Sequence, residues 1–251
     1  MNDQVQTTSP DAAFNREGNA RPAGAGLDWW TKAWPLFTRQ VGMWIGVFVA
    51  IFLVMAVASF IPVIGQLAIF LFGPVVAGGL MLGAREVDRG GELTFGHIVA
   101  GFSNQMGQLV LIGLIYLAGM IVAGLIVALV GGIGVGTMLG AAGGEPAAMG
   151  AAGVSGLLLA VLIGLALMLP LYMAMWFAPA LVVFHELGAV DAMKASFFGC
   201  LKNIVPFLIY GIIGMLLGMI AAIPIFLGWL VLGPVVIASV YVGYRDIYVS
   251  A

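Results

Sequence analysis

No charged residue interrupts positions 40–84, and none interrupts 204–244. Each run is long enough for two helical spans of about 20 residues joined by a tight turn, and a bilayer is the solvent in which such a pair is stable. Composition agrees. Hydrophobic residues fill 63% of the 251 positions and charged ones 8%, against roughly half and a quarter in a soluble domain. The chain reads as an all-α integral membrane protein with six spans, expected at 41–61, 66–84, 108–130, 155–184, 204–222 and 224–244. Pro62 and Gly65 punctuate the first hairpin and Pro224 the last, because proline lacks a backbone donor and biases the residue before it out of the helix.

That layout puts Arg16, Arg21, Lys32, Arg39, Arg85, Arg89, Lys194, Lys202 and Arg245 on one side, with Glu145 the charge left on the other. Positive residues mark the cytoplasmic face, so both termini are expected there. Positions 1–26 are polar and lack the apolar core of a signal peptide; they read as a disordered cytoplasmic tail, with 27–251 as a single transmembrane domain. A net charge of −2 without a basic stripe gives nucleic acid nothing to bind. Cys200, the lone cysteine, reads as a small apolar filler.

An internal repeat accounts for the layout. Phe95, Ile98, Val99, Phe102 and Met106 form one helical face, which Val190, Met193, Phe197 and Leu201 repeat, with Lys194 in place of Val99. Both segments read as amphipathic helices at the cytoplasmic interface. A third candidate, 28–40, carries Trp29, Trp30, Trp34 and Phe37, with Lys32 and Arg39 to snorkel and Pro35 expected to limit its helical length. Gly73-Pro74-Val75-Val76 returns as Gly233-Pro234-Val235-Val236, and Arg85-Glu86 as Arg245-Asp246, with Ala178-Pro179-Ala180 as the middle copy. The expectation is three pseudo-repeats, about 27–90, 91–186 and 187–251, each an interfacial helix followed by a transmembrane hairpin whose returning helix is kinked at Pro74, Pro179 or Pro234.

Positions 131–153 are nearly all Gly, Ala and Met around Glu145-Pro146. They read as a flexible loop, because glycine loses so much entropy in a helix. The alternative is an outward continuation of the third helix, with Gly132, Gly136, Gly140 and Gly144 forming a smooth ridge.

No catalytic constellation emerges. Gly153-Val154-Ser155-Gly156 matches the Gly-x-Ser-Gly pattern of rhomboid-type proteases, but about 45 Å of helix would separate Ser155 from His185, far beyond a nucleophile–base contact. Acidic and His residues share the cytoplasmic edge without metal-ligand spacing, so no metal, cofactor or catalytic residue is assigned. The cluster worth locating there is Arg85, Glu86, His185, Glu186, Arg245 and Asp246. Within the spans, Tyr116, Tyr172 and Tyr210 are the polar candidates for a solute path or for packing, and the lack of charge at depth argues against ion-driven transport.

Three stretches carry a resemblance: 79–93 (GLMLGAREVDRGGEL), 176–185 (WFAPALVVFH) with 192–197 (AMKASF), and 238–241 (ASVY) with 244–247 (YRDI). They resemble an uncharacterised family of bacterial inner-membrane proteins. More distantly, the helix-plus-hairpin unit is similar to the membrane-anchor domain of some glycerophosphoryl diester phosphodiesterases. The likeness implies location and architecture and assigns no active residue. The expected function is non-enzymatic, structural, scaffolding or lipid-interacting, with membrane lipids and a second copy or another envelope membrane protein as partners. The alternative is a permease or channel for a small solute or lipid.

Overall fold

The computed structural model describes residues 14–140 and 146–249. Among them are helices α1 (Ala25–Arg39), α2 (Val41–Ser59), α3 (Ile64–Asp88), α4 (Gly96–Ser103), α5 (Met106–Gly140), α6 (Pro146–Trp176), α7 (Ala178–His185), α8 (Ala189–Lys202), α9 (Ile204–Ala222) and α10 (Trp229–Tyr248), and no strand. Six stretches are long and apolar enough to cross a membrane: Val41–Ser59, Ile64–Asp88, Met106–Ile133, Ser155–His185, Ile204–Ala222 and Trp229–Tyr248. The fold is that of a multi-pass, all-α membrane protein.

Burial is unequal. In α10, 61% of the most apolar window is buried and in α3 44%, against 6% in the fourth span. The returning helices α3 and α10, together with α7, therefore make the centre, and α2, α5, α6 and α9 line the outside with apolar side chains such as Phe52, Leu165 and Met215 exposed. The short helices lie on the hairpins that precede them. α4 packs along α3, α8 along α6 and α7, and α1 closes the circle on α10 and α9. Glycine permits the closest of these approaches: a Cβ on Gly79 would strike the carbonyl of His97, and one on Gly101 that of Val75.

Four expectations need correction. The tail does not stay apart from the domain up to residue 26. From Phe14 on it lies across the end of α10, where Asn15 N–H donates to Tyr248 O and Asn19 N–H to Ile247 O, both at 2.8 Å, while Arg21 Nε donates to Asp246 O at 2.9 Å. The last carbonyls of a helix have no partner inside it, and this segment supplies partners from the other end of the chain. Residues 1–13 lie outside the described residues.

α1 runs unbroken through Pro35, and its Trp29 and Trp30 are buried against the bundle, leaving Trp34 and Leu27 as its large apolar groups facing outward. In α8, likewise, Met193 turns inward, so the outward apolar face is Val190, Phe198 and Leu201.

The expected loop at 131–153 is helical wherever it is described: α5 extends to Gly140 and α6 starts at Pro146. Glu145 lies outside the described residues.

Finally, the fourth span is broken, but before Pro179. α6 ends at Trp176 and α7 begins at Ala178, so Pro179 sits in the first turn, where a missing N–H is harmless. The break separates Phe177 N–H from Met173 C=O, and Ser196 of α8 takes up both: its Oγ accepts from Phe177 N at 2.9 Å and donates to Met173 O at 2.6 Å. Pro74 and Pro234 lie within continuous helices. Pro74 strips Phe70 O of its usual partner, and Gly113 of α5 brings its backbone against that carbonyl.

Cys200 on α8 is buried, and burial raises its thiol from an ordinary value near 9 to about 12. Because the folded value is the higher one, the fold keeps this contribution fully below pH 9 and loses it as pH climbs towards 12. Maleimide at pH 8 should therefore label the native protein far more slowly than the same protein unfolded in dodecyl sulfate. Equal rates would show that Cys200 is open.

Candidate functional site

The three returning helices end together at the charged end, with Arg85, His185 and Arg245 in their last turns. A cation there faces the negative end of the helix dipole. Tyr244 stands between them, its Oη 2.6 Å from His185 Nε2 and its ring 5.0 Å from Phe184. Arg85 covers the other ring, with its guanidinium carbon 4.5 Å from the Phe184 centroid. Tyr241 donates to Asp88 Oδ2 at 3.0 Å, and Arg245 pairs with the same carboxylate. Phe14 stacks on His185 at 3.5 Å, covering one imidazole face.

Of the six residues expected to cluster, Arg85, His185 and Arg245 share this site. Asp246 does not. Successive helical residues point about 100° apart, so Asp246 faces the far side of α10, where it pairs with Arg21 at 3.4 Å and accepts from Trp29 Nε1 at 3.0 Å. Glu86 lies over Gly91, which helps to cap α3: Gly90, at φ +87°, bonds Val87 O, and Gly91 N bonds Glu86 O. Glu186 is the left-handed cap of α7, at φ 54°, and is exposed.

The cluster expected from sequence left out Asp88, one of the acidic residues at the cytoplasmic edge, together with Phe14, Tyr241 and Tyr244. A signal existed in Tyr241, Tyr244 and Tyr248, spaced three and four apart on one face of α10. Each turns inward, and Tyr248 Oη donates to Ala195 O at 2.9 Å.

Tyr241 and Arg245 are both paired with Asp88, and Tyr244 with His185. Among the described residues no buried side-chain N or O lacks a hydrogen-bond partner, and no group of three His, Cys, Asp or Glu is placed to hold a metal ion. Chemically the arrangement is a clasp, which joins α3, α7 and α10 by charge and ring contacts.

The span tyrosines are spread over the bundle. Tyr210 is enclosed: its hydroxyl lies 2.7 Å from Ser239 Oγ, its ring stacks on Trp30 at 4.7 Å, and its carbonyl accepts from Trp30 Nε1 at 3.1 Å. Ser239 spends its own proton on Val236 O, so Tyr210 is the donor. Tyr116 lies beside Phe70, and Tyr172 is exposed next to Trp176. α9 packs on α1, α8 and α10 but meets α6 chiefly through rings, with Trp176 5.9 Å from Phe207 and 6.1 Å from Tyr210.

The chain is 29% identical over 197 residues to a Burkholderia thailandensis protein named a probable inner membrane protein, across 76% of this chain and 72% of that relative. No family model matches the chain, and no solved structure matches it. The likeness to the phosphodiesterase anchor domain gains no support from these findings.

Proposed function

We propose that the protein is a non-enzymatic, lipid-interacting component of the bacterial inner membrane, with both termini in the cytoplasm. One observation carries the reading. Outward apolar faces on α4 (Val99 and Phe102, with Phe95 at its cap) and on α8 (Val190, Phe198 and Leu201) lie beside the spans at the end that gathers the cations. Such faces suit the boundary between headgroups and acyl chains. The circular order in which the short helices pack on the hairpins supports three repeats, and the one-sided Lys and Arg support the orientation. The name of the bacterial relative supports the membrane assigned.

A permease is the second reading, favoured by the ring-bridged seam between α6 and α9, where Tyr172 faces outward. Purified protein in vesicles of phosphatidylethanolamine and phosphatidylglycerol separates the two. The first reading expects lipid to stay with the detergent-extracted protein and no flux of small solutes or labelled lipid above empty vesicles. Flux abolished by Tyr172→Ala would favour the second and overturn the first. Orientation is read separately, by attaching a membrane-impermeant maleimide to Lys194→Cys, since Cys200 is buried. Labelling from the periplasm would reverse the topology.

A further inference from the structure

We propose that α8 forms a binding site for one anionic phospholipid, with Lys194 holding the phosphate and an apolar slot beneath it holding an acyl chain. The inference rests on the lipid-interacting reading above and names the ligand class and the site.

Two cavities adjoin along α8 and share Lys194 and Phe198 as walls. One, about 370 Å³, is an open apolar groove between α8 and the spans, reaching Ile115 of α5 and Ala174 of α6. The other, about 420 Å³, is charged and is bounded by the N-terminal segment. A slot that is apolar at one end and polar at the other fits an amphiphile, and the charges decide which kind. Arg16 pairs with Asp191 at 3.0 Å, and Lys202 with Glu17 at 3.6 Å. Lys194 has no anionic partner among the described residues and is exposed. Among the described residues the mouth of the slot therefore carries one uncompensated positive charge, which complements a phosphodiester.

The repeat supplies an internal comparison. Val99 occupies the position in α4 that Lys194 occupies in α8 and is 57% exposed. The α4 face is thus apolar where α8 places an ammonium group, so of these two helices α8 alone offers the cation.

Native mass spectrometry of the full chain tests the site, with phosphatidylglycerol or phosphatidylcholine titrated into the detergent-solubilised protein. One phosphatidylglycerol should be retained about tenfold more tightly than phosphatidylcholine, a preference that Lys194→Met removes and Lys194→Arg keeps. Phe198→Ala should weaken both lipids, because it opens the apolar slot. Each variant should melt with the wild type, since both side chains are exposed. Unchanged preference in Lys194→Met would overturn the site and leave the lipid reading standing. Wild-type protein that retains no lipid would overturn both. Displacement of the lipid by equimolar glycerol 3-phosphate would show that the free headgroup is the ligand and would overturn the proposed lipid source.

Discussion

Asn203→Leu should destabilise the detergent-solubilised protein by about 3 kcal/mol, the largest loss expected from any single exchange at the charged end. Asn203 is fully buried at the junction of α8 and α9 and makes three hydrogen bonds. Its Nδ2 donates to Asn19 O at 2.9 Å and to Gly199 O at 2.8 Å, and its Oδ1 accepts from Arg21 N at 2.8 Å. Leucine has similar bulk and none of these groups, so the N-terminal segment loses its anchor beside the α10 carbonyls it caps. Two readouts should move together. The thermal midpoint should fall, and trypsin should cut after Arg16 in the variant under conditions that spare the wild type. Asn203→Asp, which keeps the acceptor for Arg21, should fall between. A leucine variant that melts like the wild type with Arg16 still protected would show that the segment is held by other contacts.

Ser196→Ala should cost about 2 kcal/mol, from a change of one oxygen atom. This hydroxyl is fully buried and bridges the donor and acceptor that the α6–α7 break leaves unpaired. Alanine adds no strain, so the loss measures Phe177 N–H left without its partner in an apolar setting and Met173 O left with the weak Cys200 thiol donor at 3.6 Å. The chain has one remedy, which is to close the break and restore the bond from Phe177 N to Met173 O. That would straighten the span and swing α7 away from Tyr244. Loss of stability should therefore come with a changed environment at Trp176, read by its fluorescence. A variant with unaltered stability and fluorescence would mean that the break persists without the hydroxyl, contrary to the role given to it here.

Much of the architecture was legible in the residues. The two uncharged runs and the spacing of the apolar stretches located all six spans, because the bilayer acts on composition and length alone. The clasp was half legible. Arg85, His185 and Arg245 were found from their place at span ends, whereas Tyr241 and Tyr244 look like ordinary interfacial aromatics until α7 is laid beside α10. Asp246 was assigned to the same cluster by adjacency, and helical geometry sends it to the opposite face.

The misjudged segments share a cause. Residues 14–24 are polar because they satisfy the end of a helix more than two hundred positions away, and polarity of that kind is locally identical to the polarity of a disordered tail. The break at Phe177 depends on Ser196, a residue on another helix, so proline alone put it two residues too late. The sequence by itself determined that this chain lives in a membrane, how many times it can cross, and at which end its charge collects, since these follow from the solvation of single segments. Only the tertiary structure decided which orphaned backbone groups meet which side chains, and that Lys194 stands above an apolar slot without an anionic partner among the described residues, because hydrogen bonds and cavities exist between segments and no local pattern encodes them.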